Sequence, residues 1–393
     1  MNSKKPSSKS NGNLTFEKSN KPQNLLLQEH EIIERCKSIE SQLPYFLDDF
    51  FLYLKSSVAL TTRQAYLEDI LFFFQYLVQH TQKVSADSPS EISTDEIKLI
   101  TAKDVNRFIG DYCTHYIVEK ETSQKIVENQ NRSLSRKKSS LSVLFKFLYR
   151  EELMDKNITD GFNPIKLPKP QPDAIKRLDI PEVQELLKLV EFGHLFTKKE
   201  RTYWEKTKFR DKAIIVLFIT YGLRISELQQ LNLSSFNFSR GEFRIFRKRG
   251  KEVEMPLNQS ARQVIEEYIN LERPNSMELE KVHEDALFIS LQNRRMTIKS
   301  IRNLIKKYTA HVLKTDSRKG YSPHKLRATA ATSLIAKGFS IYDVQNLLDH
   351  DNITTTQLYA AHKKDVKRGI VSNFEWTATS DSKDPNSSES DEE

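Results

Sequence analysis

Six side chains in the C-terminal half, Arg224, Lys248, His324, Arg327, His350 and Tyr359, have types that together suit one reaction: attack of a tyrosine oxygen on a DNA phosphodiester. A phosphodiester under attack gathers negative charge on its non-bridging oxygens. A planar guanidinium meets two such oxygens at once and stays charged at any cellular pH, so Arg224 and Arg327 suit a phosphate clamp. Imidazoles add hydrogen bonds that strengthen as charge develops. A tyrosine hydroxyl, with a pKa of about 10, must lose its proton as it attacks, and the leaving 5′ oxygen must gain one, which a flexible lysine can deliver. The chemistry calls for neither metal nor nucleotide cofactor, and the chain has no P-loop, no HExxH and no acidic cluster with two-metal spacing.

The elements that must position these groups are marked in the sequence. Ser322 is a candidate helix cap, Pro323 takes the first helical position and Gly338 closes the far end. His324 and Arg327 then share one face near the helix's positive N-terminus, although HxxR alone is equally the pattern of two solvated surface groups. Ser340 and Asp343 cap the next helix, whose apolar face is Ile341, Val344, Leu347 and Leu348 and whose end falls near Asp349. His350 is left at a turn before a helix bearing Tyr359, so the chain doubles back. Arg224 follows a break at Gly222 and starts another helix; with Glu227 three residues on, a plain surface ion pair is the alternative reading. Lys248 lies in the basic turn Arg247-Lys248-Arg249-Gly250-Lys251, between strands expected at Glu242–Phe246 and Glu252–Met255, with Gly250 at the tight position. Such a loop can enter a DNA groove, which makes Arg247, Arg249 and Lys251 candidate phosphate contacts.

A length of 393 residues implies two folded domains with flexible ends. Residues 1–25, rich in Ser, Asn and Lys, and the acidic tail 377–393 are expected to be disordered. Helical patterns at 43–54, 62–78, 103–117 and 134–150 predict a first, all-helical domain over about residues 40–155. Four prolines, Pro164, Pro168, Pro170 and Pro172, mark a linker at 156–177, and a second domain with a small sheet follows over 178–376. The fold class is therefore mainly α with a small β-sheet. The tail carries a net −5, so the rest of the +8 chain carries +13, which favours a polyanionic partner. Arg63, Arg136, Lys137 and Lys138 in the first domain are further candidate phosphate contacts. Cys36 and Cys113, far apart and outside any CxxC pattern, read as ordinary small apolar residues of a reducing cytoplasm. The N-terminus lacks a signal peptide's apolar core, and the most apolar run, Ala213 to Tyr221, is too short to span a bilayer.

In the order TYGLRISEL, RKRGKE, SPHKLRATAATSLI and LLDHDNITTTQLY, and at these separations, the boxes over about residues 44–375 resemble the tyrosine recombinases of the phage-integrase family. The stretch LPYFLDDFFLYLKSSVALTTRQAYLEDILFFFQYL and the extra residues 191–209 look closest to the single Xer recombinases of streptococci and lactococci. The resemblance implies a helical core-binding domain followed by a catalytic domain. It makes Tyr359 the nucleophile, with Arg224, Lys248, His324, Arg327 and His350 around the phosphate, His324 as general base and Lys248 as general acid. It implies a double-stranded DNA partner carrying a specific site, a homotetramer on two duplexes, exchange of a C-terminal segment such as Lys367–Trp376, and room for an activating protein partner. The expected role is resolution of chromosome dimers; an integrase of a phage or other mobile element is the alternative. A DNA-binding protein that has lost catalysis is disfavoured by the presence of all six residues. Two positions depart from the pattern: Asp349 stands where the family usually has Gly, and Ala328 where a second histidine is common.

Overall fold

The computed structural model describes residues 21–120, 123–168, 176–247 and 250–349. Contacts divide the chain into two compact units, residues 1–169 with 246–253, and residues 170–245 with 254–393. The first unit contains α1 (Gln23–Glu40), α2 (Asp48–Ser57), α3 (Leu60–His80), the short α4 (Thr94–Lys98) and α5 (Ala102–Arg107), a hairpin of β1 (His115–Lys120) and β2 (Ser123–Glu128), and α6 (Asn131–Arg150). Leu67, Ile70, Phe73, Phe74 and Leu77 recur at helical spacing along α3 and are buried with Phe50, Phe108, Phe145 and Leu148 in one core.

Two features of this unit differ from the sequence reading. It is not all-helical: the helix expected over 103–117 gives way to a wider π-type turn at Phe108–Tyr112 and then to the antiparallel hairpin, in register from His115↔Glu128 to Lys120↔Ser123. Ile117, Val118, Ile126 and Val127 are β-branched residues on either side of a polar stretch, the composition a hairpin prefers. The helical body also begins earlier than expected, because α1 starts at Gln23 and turns Leu25, Cys36 and Ile39 into the core. Both cysteines are buried free thiols, and burial pushes that of Cys113 up to about 12.

From residue 176 the described chain runs α7 (Ile180–Phe192), α8 (Lys198–Glu205), α9 (Lys208–Tyr221) and α10 (Ile225–Gln229), then β3 (Phe236–Asn237), β4 (Glu242–Phe246) and β5 (Glu252–Pro256), whose adjoining ends fall in the stretch 246–253 grouped with the first unit, then α11 (Gln259–Leu271), α12 (Ile298–Val312), α13 (Pro323–Ala336) and α14 (Ile341–Leu348). The sheet order is β3-β4-β5. The hairpin lies where expected: Arg247 N–H donates to the Lys251 carbonyl at 2.8 Å and Gly250 has φ +73°. Helix α9 is the hub. It is buried along both faces because α7, α11 and α13 all pack on it, which is why its sequence carries an apolar run rather than a stripe. Its first turn is fixed by buried charge: Asp211 accepts from Arg210 Nη2 at 2.8 Å and from the Tyr308 hydroxyl at 3.0 Å, and Glu272 accepts the backbone N–H of Phe209 at 2.9 Å. Among the described residues no helix is long and apolar enough to cross a membrane.

Candidate active site

The site starts where α9 stops. Gly222 caps α9 in the left-handed conformation, φ +57° and ψ +34°, the usual glycine solution to a helix C-terminus. It is also closely packed, since a Cβ there would fall 2.6 Å from Leu348 Cδ2 and 3.3 Å from Ala330 Cβ. The chain then turns into α10 with Arg224 at its N-cap. Glu227, three residues on, accepts the Arg224 backbone N–H through Oε2 at 2.8 Å and Nη1 of the same residue through Oε1 at 2.7 Å. Glu227 is 3% exposed, so the ion pair that sequence spacing allowed is real but buried rather than superficial. It aims the guanidinium: Arg224 Nη2 donates to the Asp349 carbonyl at 2.7 Å.

The second guanidinium arrives from α13. Pro323 opens this helix at N1, although the Ser322 side chain makes no capping hydrogen bond. Arg327, 4% exposed, donates through Nη1 to the Gly222 carbonyl at 2.6 Å and through Nη2 to the Leu348 carbonyl. Ala328, Ala331 and Ile335 of α13 pack against Val344 and Leu348 of α14, so Ala328 serves as a small residue in that seam. Helix α14 is capped by Ser340, whose hydroxyl accepts the Asp343 N–H at 3.0 Å, and it ends at Asp349 with φ +51° and ψ +56°. That is a left-handed turn, which Asp tolerates better than most residues.

Two arginines from separate helices thus converge on consecutive carbonyls at the C-terminus of α14. A pair of guanidiniums aimed at adjacent oxygens is the arrangement an anion with two non-bridging oxygens requires. His324 stands one turn before Arg327 with an open face to solvent. Protein crowding its ring, then the charges of Lys325 and Arg327, hold its pKa below the usual histidine value, which keeps the imidazole neutral and able to accept a proton. Lys248, His350 and Tyr359 lie outside the described residues, as do Arg249 and the segment Lys367–Trp376.

The candidate DNA contacts divide. Arg63, 5% exposed, pairs with Glu40 and ties α3 to α1; Lys137, 7% exposed, donates to Asp69 Oδ1 at 3.0 Å and ties α6 to α3. Expected on a phosphate-facing surface, both cations are instead buried in charge pairs, with a carboxylate inside the core in Asp69 and a half-buried one in Glu40. Arg136 also pairs with Asp69 but keeps half its side chain exposed. Lys138 donates to the Asn163 carbonyl at 2.7 Å, Arg247 is buried at 7% exposure, and Lys251 is exposed. The two arginines singled out in the sequence lie together at the end of α14; the sequence did not show that Glu227 aims one of them or that the Gly222 carbonyl holds the other.

With this geometry in place, comparison with known proteins assigns the family. Residues 176–365 match the model of the phage integrase family. The tyrosine recombinase XerC of Caldanaerobacter subterraneus subsp. tengcongensis is 31% identical over 323 residues, spanning 80% of this chain and 82% of that protein. Among solved structures, XerH bound to a palindromic difH substrate in a post-cleavage complex shares the fold at TM-score 0.55 and 18% identity, over 89% of this chain and 95% of that one. A lambda integrase tetramer bound to a Holliday junction shares it at TM-score 0.50 and 15% identity, over 87% and 81%. This chain belongs to the phage integrase family and, within it, to the Xer-type tyrosine recombinases, enzymes that recombine DNA at specific sites.

Proposed function

We propose that this recombinase cuts one DNA strand through Tyr359, forming a 3′-phosphotyrosyl bond and releasing a 5′ hydroxyl, and that a 5′ hydroxyl from another strand reverses the step. Arg224 and Arg327 hold the non-bridging oxygens, His324 takes the tyrosine proton, Lys248 protonates the leaving oxygen and His350 adds a hydrogen bond to the phosphate. The observation that carries this reading is the convergence of both guanidiniums on the carbonyls of Leu348 and Asp349. The next residue in the chain is His350, so covalent continuity ties a third phosphate ligand to the two arginines. The bond energy is conserved in the phosphotyrosine, so positioning and electrostatics supply the rate.

Two duplexes exchange four strands, so the working assembly is a cyclic homotetramer on paired DNA sites. The helical first unit and the second unit each engage the duplex. The cellular role that fits is resolution of chromosome dimers, supported by the likeness to XerC across four-fifths of the chain. A suicide substrate nicked near the crossover tests the chemistry: the wild type should trap a covalent complex and Tyr359→Phe none. Trapping by the Phe variant refutes the assigned nucleophile. Sequencing the DNA bound in cells tests the role, which fails if the bound site is the end of a mobile element.

A further inference from the structure

Three cations, Lys176, Arg177 and Lys325, are drawn together within one compact unit by a bond to the helix that carries His324. Leu178 donates its backbone N–H to Thr329 Oγ1 of α13 at 2.9 Å, and that hydroxyl donates to the Lys325 carbonyl at 3.0 Å. Leu178 and Thr329 are both buried, so the bond pins the chain ahead of α7 to the first turns of α13. Lys176 and Arg177 come directly before Leu178, at about 3.8 Å per residue. Lys325 lies one turn before Thr329 on the same helix face, with Cβ atoms about 5–6 Å apart, and its charge adds to burial in depressing the His324 pKa. Among the described residues none of the three cations has an ion-pair partner. Arg177 Nη1 is also shut from water with no hydrogen-bond acceptor among them. Asp179 and Glu182, the acids that follow, are turned onto α7, where each accepts the other's backbone N–H. Arg63, Lys137 and Arg210 would each have to leave a carboxylate to meet DNA; this trio has no such bond to break, and an incoming anion supplies the acceptor that Nη1 lacks. We propose that Lys176, Arg177 and Lys325 form a second phosphate subsite, which holds a DNA backbone phosphate adjoining the one that Arg224 and Arg327 clamp.

The proposal rests on the reading of Arg224 and Arg327 as the clamp on the scissile phosphate. His324 separates the two sites: Arg327 shares its face of α13, and Lys325 takes the adjoining one. A grip on one phosphate leaves the strand free to pivot about it; a second grip removes that freedom and brings the scissile phosphorus into line with its nucleophile. The experiment binds the full-length protein to a duplex carrying the sequence bound in cells, in copies that each replace one phosphate near the cleavage position by a neutral methylphosphonate. For the wild type, neutralising one phosphate next to the scissile one should weaken binding about tenfold, the loss expected when charge-assisted hydrogen bonds are removed. The triple variant Lys176→Gln, Arg177→Gln, Lys325→Gln should bind the unmodified duplex about tenfold less tightly and be indifferent to that one replacement, with an unchanged melting temperature. Lys325→Gln alone should show the same positional indifference in part, and serves if the triple variant folds poorly. Wild-type and variant penalties that agree within about threefold at every adjoining phosphate overturn the proposal. Suicide-substrate trapping reads the clamp separately. Coupling at an adjoining phosphate with no trapped wild-type complex leaves the subsite standing and the catalytic reading refuted; a trapped complex without such coupling gives the reverse.

Discussion

Replacing Gly222 by alanine tests whether the packing around the α9 terminus is what seats the arginine clamp. An alanine at φ +57° carries a conformational cost of about 1–2 kcal/mol. Its Cβ would also lie 2.6 Å from Leu348 Cδ2, where carbon atoms normally keep about 3.5–4.0 Å, so roughly 1 Å of movement is required. Leu348 is fully buried against Ala328, Ala331, Ile335 and Val344 and cannot swing into solvent, so overpacking adds about 1–3 kcal/mol. The total is about 2–5 kcal/mol. The strain falls on the last turn of α14, whose Leu348 carbonyl is held by Arg327, so the clamp shifts with it and cleavage should slow about a hundredfold. Gly241→Ala is the control. It sits at φ +67° with only the Leu257 carbonyl oxygen near, at 4.0 Å, and should cost the conformational part alone. Urea unfolding and single-turnover cleavage of both variants provide the measurement. If Gly222→Ala is no less stable than Gly241→Ala and cleaves at the wild-type rate, the coupling of packing to clamp geometry is wrong.

Charge sets the other outcomes. His324 has a folded pKa depressed below the usual 6.5, so its contribution to stability is present above pH 6.5 and is lost as pH falls through the lowered value. Single-turnover cleavage should therefore fall on the acid side of 6.5, and His324→Gln should lower the rate by about 10²–10⁴-fold and erase that acid limb; an unchanged limb would assign it to another group. Asp69→Asn should destabilise the first unit by about 3–5 kcal/mol, because it leaves Lys137 buried without its carboxylate. By contrast, Lys137→Met fills the same space without charge, and its DNA affinity should keep the wild-type salt dependence; a salt slope reduced by one would mean that Lys137 meets a phosphate after all.

Much of the fold was legible because the residues that end helices act locally. Gly222 closes α9, Ser340 opens α14 and Gly250 turns the hairpin, each as its type and spacing predict. The misses are tertiary. The strand His115–Lys120 follows directly on a helical stretch rich in aromatics, so periodicity ran on past Tyr112 where the backbone had already widened. Helix α1 was hidden because its apolar residues, Leu25, Leu26, Leu27, Ile32, Ile33, Cys36 and Ile39, form no single clean stripe; only Leu25, Cys36 and Ile39 are buried, and packing against α3 selects that face. At the candidate site, residue type and order singled out Arg224 and Arg327, which the fold brings together, but not the burial of Glu227, which depends on α10 packing against α9 and α12.

The same distinction governs the charge. A sequence count treats every cation as available to DNA, yet Arg63, Lys137 and Arg210 are inside the protein beside Glu40, Asp69 and Asp211. These pairs cost desolvation on both sides and return register, fixing which helices meet, with the charge directed at the paired carboxylates. The arginine clamp lies between these extremes. Arg327 is buried and donates to the Gly222 and Leu348 carbonyls, which directs its charge at the negative end of α14. A carbonyl's partial charge is a weaker partner than a phosphate oxygen, and a guanidinium held by carbonyls is pre-aimed without being neutralised. Arg224, by contrast, is held by a carboxylate inside the protein, Glu227, which fixes where its guanidinium points.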